Sequence, residues 1–252
     1  MTKTVTVGNV TLGEGRPKIL VPIVGRSEAE ILTAARQAKD LDCDIIEWRI
    51  DFYEQVETPA AVAAFSHQVK EAIQKPLLVT FRTYKEGGEL EISDTLYFDI
   101  YKEVLLHGVA DLLDIELFMP EAGVQETIAL AREKAVKVVM CNHDFDGTPS
   151  QEEIVRRLTL MEERGADVCK IAVMPHSQAD VLTLLAATAE MKAKATRPLI
   201  TMSMGVLGMV SRVSGELFGS AATFGAAAKA SAPGQVPVSV LRNMLETLKL
   251  GE

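Results

Sequence analysis

Asp-Val-Cys-Lys-Ile-Ala-Val-Met-Pro, residues 167–175, is a short apolar run that reads as a buried strand carrying an ammonium group at Lys170. Upstream, Val-Lys-Val-Val-Met-Cys-Asn-His-Asp-Phe, residues 136–145, is a second buried strand that ends in His143. A helix-like segment at 150–164 lies between them, and the rest of the chain repeats this unit of strand and helix. Further strand candidates are Lys18 to Val24, Ile45 to Arg49, Leu77 to Phe81, Leu112 to Leu117, Leu199 to Met204 and a weaker one at Phe218 to Thr223. Helix-like segments fall near 27–40, 58–74, 93–107, 121–134, 177–195, 207–216 and 238–249. Eight strands each followed by a helix predict an α/β (β/α)₈ barrel. Ser27 before the first helix, Pro149-Ser150 before the fifth and Gly108 after the third are consistent boundary signals. The first twelve residues, two β-like runs about Gly8-Asn9, predict a hairpin across the N-terminal mouth of the barrel. No linker, low-complexity tract or internal repeat divides the chain, so residues 1–252 are expected to form one domain. An open doubly wound sheet is the competing architecture, but no Gly-rich phosphate turn follows the first strand.

A charged amine taken into a strand interior costs on the order of several kcal/mol unless it is paired or has lost its proton. A lysine with a lowered pKa is the amine that forms Schiff bases with carbonyl substrates. If 136–145 and 167–175 are neighbouring strands, that amine and the His143 imidazole project side by side. Cys169 precedes the lysine, yet strand alternation turns it to the opposite face and away from chemistry.

Composition narrows the class of partner. The net charge of -9, from 26 basic and 35 acidic residues, argues against nucleic acid or an anionic membrane. The N-terminus lacks a signal-type apolar core, no run approaches a membrane span, and Cys43, Cys141 and Cys169 form no Cys-x-x-Cys pair. A cytoplasmic enzyme with reduced thiols is the expectation.

Barrel topology places active sites at the C-terminal ends of the strands. There, Glu47 and Arg49 share one face of their strand while Trp48 takes the other, Arg82 follows the third strand, and Asp114 and Glu116 alternate along the fourth. Buried ions persist when paired or used, so these charges either form a structural network or hold a polar ligand. Asp114 and Glu116 are read as structural, and Lys170 with His143 as chemical. Among the other histidines, His67 reads as a helix-face residue and His107 as a helix-end residue facing the C-terminal dipole. His176 stands just beyond the lysine strand, within reach of the mouth. No set of His, Cys and carboxylate residues has convincing ligand spacing, so no metal is expected.

Together these stretches resemble the type I 3-dehydroquinate dehydratases, the Schiff-base class. The resemblance runs nearly end to end. It rests on Ile46-Glu47-Trp48-Arg49 with Asp51, Thr80-Phe81-Arg82 followed by Glu86-Gly87-Gly88, Asn142-His143-Asp144-Phe145, Lys170-Ile171-Ala172-Val173-Met174-Pro175 and Thr201-Met202-Ser203-Met204. Ser211-Arg212, the run Phe218 to Gly225 and Ser231-Ala232-Pro233-Gly234-Gln235 complete it. The resemblance implies that Lys170 condenses with the ketone of 3-dehydroquinate, that His143 is the general acid and base, and that Glu86 orients the imidazole. It further implies that Glu47, Arg49 and Arg82 bind ring hydroxyls, that Arg212, Ser231 and Gln235 hold the carboxylate end, that no cofactor is needed, and that the protein is a homodimer. Cys169 and His176 depart from the family's usual proline and glutamine, which bears on local packing and pH response. The Pro-Gly turn chemistry of 231–235 suggests a lid over bound ligand, spanning 228–237.

Three other readings stay open on the residues alone. A class I aldolase would use the same lysine and hold a phosphate near Gly219 to Gly225. A non-catalytic binder of a polyhydroxylated acid would use Lys170 as a counter-ion, and a purely structural ion network would have no ligand.

Overall fold

The computed structural model describes residues 4–227 and 236–250. Among these residues, eight parallel strands run in chain order: β3 (Lys18–Ile23), β4 (Ile45–Arg49), β5 (Leu77–Thr80), β6 (Leu112–Glu116), β7 (Lys137–Asp144), β8 (Val168–Val173), β9 (Leu199–Ser203) and β10 (Ala222–Ala226). β10 returns to pair with β3 through Ala222↔Lys18 and Phe224↔Leu20. The remaining gap is bridged where the Ala221 amide donates to the Leu199 carbonyl at 2.6 Å. The sheet is therefore closed. A two-residue strand β11 (Val236–Pro237) extends β10 alongside Gly225 and Ala226.

Helices α1 (Glu28–Lys39), α2 (Pro59–Ile73), α3 (Asp94–His107), α4 (Glu121–Glu133), α5 (Gln151–Glu163), α6 (Gln178–Lys194), the short α7 (Met209–Val213) and α8 (Gly215–Phe218), and α9 (Val238–Thr247) intervene and close the chain. Ser27 caps α1 in a reciprocal box with Glu30, and the Ser150 hydroxyl accepts from the Glu153 amide. Gly108 ends α3 with φ −107°, so its requirement is not a left-handed backbone. A Cβ there would lie 2.8 Å from Ser66 Oγ.

Strand alternation sorts the core into two layers. Ile46, Trp48, Val79, Leu113, Ile115, Met140, Cys169 and Ile171 point outward and pack with the helices. Leu20, Ile45, Leu78, Leu112, Val139, Val168 and Ile200 point inward near the strand starts, and Val5, Val7, Val10 and Leu12 pack against them. Those three valines and the leucine belong to the hairpin β1 (Val5–Val7) and β2 (Val10–Leu12), which turns at Gly8 with φ +58° and pairs Val7 with Val10. The hairpin thus plugs the N-terminal end and leaves the other end open.

Two expectations near the C-terminus need correction. The eighth strand is Ala222–Ala226 and not Phe218 to Thr223, because Phe218 closes α8 and Gly219 at φ +113° ends that helix against Lys192. The helix expected over 207–216 divides at Ser214 into α7 and α8. Ser231, Gln235 and most of the expected lid at 228–237 lie outside the described residues; Val236 and Pro237 are β11.

Candidate active site

Five of the strands that begin with an apolar inward residue present a polar or reactive one two positions later. Ile45 is followed by Glu47 and Arg49, Leu78 by Thr80 and Arg82, Leu112 by Asp114 and Glu116, Val139 by Cys141 and His143, and Val168 by Lys170 and Ala172. The period of two converts five strands into one charged mouth. It encloses a cavity of about 150 Å³ whose polar wall includes Glu47, Arg49, Arg82, Glu86, His143, Lys170 and Arg212. The apolar wall is made by Ala172, Met202, Met204, Phe224 and Phe145.

Lys170 is 3% exposed. Its Nζ donates to Asp114 Oδ2 at 2.9 Å, stands 3.8 Å from Glu47 Oε1 and lies 4.6 Å from the centroid of the Phe224 ring. The burial cost is therefore met by pairing. Asp114 also accepts from Arg82 Nη2 at 2.6 Å and from the Cys141 thiol at 2.8 Å. Burial pushes its carboxyl up, but Arg82, Lys170 and the Cys141 hydrogen bond outweigh that and hold it well below the usual carboxylate range. Asp114, read from the sequence as structural, is thus also the direct partner of the lysine.

Arg82 spends its donors inside the wall. Its Nη1 reaches Glu116 Oε1 at 2.7 Å and Cys141 Sγ at 3.1 Å, and the Thr83 amide and hydroxyl also donate to Glu116. Burial alone would lower the guanidinium's pKa, but Asp114, Cys141 and Glu116 drive it up, so it stays charged. Arg49 makes a two-pronged contact with Asp51, with both bonds at 2.7 Å. Asp51 also accepts from the amides of Arg82 and Glu89, which ties β4 to the loop after β5.

That loop contains a single 3-10 turn, Tyr84–Glu86, and delivers Glu86 to His143. Glu86 Oε2 accepts from the His143 backbone amide at 2.8 Å and lies 3.0 Å from His143 Nδ1. Oε1 accepts from Asn142 Nδ2 at 3.0 Å. Burial lowers the imidazole's pKa well below its ordinary value, Arg82 and Lys170 lower it further, and Asp114 opposes them, so the resting ring is neutral. Burial and the Glu116 carboxylate push Glu86 up to about 8, against Arg82, the Asn142 amide and the His143 N–H. Because the two groups share a hydrogen bond, they titrate as a pair. With a proton on Glu86 donated to Nδ1, Nε2 carries the ring hydrogen and is a donor. With Glu86 ionised and Nδ1 donating, Nε2 is a base.

Arg212, 1% exposed at the end of α7, closes the wall beside Met202, and burial pushes its guanidinium down to about 10. The cavity therefore pairs a nucleophilic amine with a tunable imidazole, offers cationic and carboxylate groups to hydroxyls and an acid, and has an apolar face for a carbon ring.

Other expected residues fall outside it. His176 is exposed and bonds the Asp146 carbonyl at 2.8 Å. Cys169 is fully buried on the outer face, where burial pushes its thiol up. Glu86, Cys141 and His143 gather donor atoms within 4.8 Å of one another, but the Arg82 guanidinium stands 3.1 Å from that sulfur and 3.7 Å from that carboxylate, where it opposes a metal cation. The run Gly219 to Gly225 supplies a helix end and strand β10. Asp114, Cys141, Met202, Met204 and Phe224 were not singled out as site residues; counting in steps of two up each observed strand from its inward apolar residue reaches all five.

The family model for type I 3-dehydroquinase matches residues 19–252. The 3-dehydroquinate dehydratase of Enterococcus faecalis is 55% identical over 249 residues, which is 98% of each chain. The crystal structure of a type I 3-dehydroquinate dehydratase from Clostridium difficile with covalently modified comenic acid superposes with TM-score 0.95 at 50% identity, covering 98% of both chains. The structure of the E. faecalis protein gives TM-score 0.93 at 52% identity, covering 98% of this chain and all of that one.

Proposed function

The chain belongs to the type I 3-dehydroquinase family, and from this and the barrel mouth we infer that it dehydrates 3-dehydroquinate to 3-dehydroshikimate through an imine on Lys170. This is a hydro-lyase step of the shikimate pathway, which leads to the aromatic amino acids. The observation that carries the reading is the meeting at one cavity of Lys170 on β8 and His143 on the adjacent β7, with Glu86 brought to the imidazole by the loop after β5.

Dehydrating a β-hydroxyketone requires a carbanion next to the carbonyl, and an iminium gives those electrons a cationic sink. Lys170 Nζ adds through its lone pair to the ketone carbon, and the carbonyl oxygen leaves as water with two of the three protons of the ammonium form, so that one proton stays on the iminium nitrogen. Asp114, 2.9 Å from Nζ and held ionised, is placed to balance the positive iminium nitrogen. His143 Nε2 then takes a proton from the adjacent carbon, and the C–H electron pair moves into the iminium to form an enamine. The enamine returns its electrons as the hydroxyl departs, and His143 gives up its proton so that the leaving group is water. Hydrolysis of the conjugated iminium restores the amine and releases the enone.

We propose that Glu47 and Arg49, with Arg82, bind the ring hydroxyls and that Arg212 grips the carboxylate as a bidentate fork. Ser231 and Gln235 are assigned to the carboxylate end by the resemblance alone. A homodimer is proposed on the same ground, and a single-domain subunit and a cytoplasmic location on the composition and segment pattern of the sequence; no helix among the described residues is long and apolar enough to cross a membrane. Incubating the protein with 3-dehydroquinate tests the activity. The ultraviolet absorbance of a conjugated enone should rise, and a flat trace with folded protein would contradict the reading.

A further inference from the structure

Behind the His143–Glu86 pair runs a chain of hydrogen bonds that the reaction scheme does not use. Asn142 and Asp144 flank His143 on β7, and alternation turns both toward α5 while the imidazole faces the cavity. Arg157 lies on α5 one turn after the buried Ile154 and reaches between them. Its Nη1 donates to Asn142 Oδ1 at 2.8 Å and to Asp144 Oδ2 at 3.1 Å, while Nε donates to Glu153 Oε1 at 2.8 Å. The guanidinium also lies 5.6 Å from the Phe118 ring centroid. Three carbonyl or carboxylate oxygens and a ring face thus fix the head group.

An arginine has donors only, so whatever amide atom faces it must be the oxygen. With Asn142 Oδ1 claimed by Arg157, Nδ2 is forced toward Glu86 Oε1, where it donates at 3.0 Å. Without that clamp the amide can turn over and accept a hydrogen bond from a protonated Glu86. We propose that Arg157 is a positioning residue for proton transfer: by fixing the Asn142 amide it favours the ionised Glu86 that leaves His143 Nε2 free to act as base. The inference rests on the proposed role of His143.

The sign follows from the donor. A hydrogen bond to the ionised carboxylate favours that form, so losing it moves the pair's proton loss to higher pH. The other charged groups facing the pair are Arg82 and Glu116 at the carboxylate, and Arg82, Lys170, Asp114 and Arg49 at the imidazole. None of these is altered by a change at Asn142 or Arg157.

The test is the pH profile of kcat with 3-dehydroquinate for Asn142→Ala, Arg157→Met and the double variant. Asn142→Ala should move the ascending limb up by about one pH unit, the scale of one hydrogen bond to a charged group. Arg157→Met, acting at one remove, should move it by about half to one unit, which below the limb lowers kcat about three- to tenfold while KM changes less. The double variant should match Asn142→Ala alone. A limb left in place by Asn142→Ala overturns the proposal, and does so even if Arg157→Met fails to fold. An Arg157→Met shift that persists in the Asn142→Ala background overturns it too, since the effect would then be the lost charge. A wild-type protein that never turns over 3-dehydroquinate instead defeats the proposed function and this inference with it.

Discussion

Lys170 lies between an anion and an aromatic face, with Asp114 at 2.9 Å and the Phe224 ring at 4.6 Å. Asp114 in turn joins three donors, so removing its charge takes the nearest anion from Arg82 and Lys170 together. Asp114→Asn should cost about 3–5 kcal/mol at neutral pH, the scale of breaking a buried ion pair. Because the folded carboxyl lies below its ordinary value of 3.8, the stability it contributes is present above that value and is lost as pH falls through the folded one. The gap between wild type and variant in urea unfolding should therefore be constant from pH 5 to 8 and close only in acid; a gap that closes toward alkaline pH would remove this account. The imidazole makes a separate prediction. His143→Ala should lose about 10²–10⁴-fold in kcat and still accumulate trapped imine, and wild-type turnover would return His143 to a structural role. Lys170, His143, Glu47 and Arg49 were legible in the sequence because alternation along a strand fixes which side chains share a face. The pairing of Asp114 with Lys170 was not legible, because alternation shows the face and not the partner across the barrel.

At the level of elements, the loop after β5 shows how backbone geometry positions a side chain. Gly87 has φ +85°, and a Cβ on Gly88 would come 1.9 Å from the Arg82 carbonyl oxygen. Those two glycines let the 3-10 turn fold back so that Glu86 meets β7. Gly88→Ala must displace that backbone, and Glu86 with it. A fall in kcat of about tenfold or more is expected, since catalytic groups tolerate little misplacement; unchanged kcat would show that the turn does not set the pair's geometry. The paired glycines were visible in the sequence, but the clash that requires them was not, because it involves a carbonyl brought close only by folding. The displaced eighth strand has a similar cause. Phe218 looks like the start of an apolar run, yet the left-handed Gly219 ends a helix there, and pairing with β3 begins only at Ala222.

At the scale of the molecule, closure makes the chemistry possible. Seven of the eight strands were placed from periodicity to within a residue or two, and the β1–β2 hairpin was legible from Gly8-Asn9 between alternating valines and leucine. Its four apolar side chains seal one end, so polar residues can converge at the other without flooding the core. The central claim is that this open end builds an imine on one amine. Borohydride added during incubation with 3-dehydroquinate, followed by peptide mass analysis, tests it most directly. A ligand-sized mass should appear on the peptide bearing Lys170, and both adduct and turnover should be lost in Lys170→Ala. Adduct on a different lysine, or full turnover in Lys170→Ala, would contradict the claim.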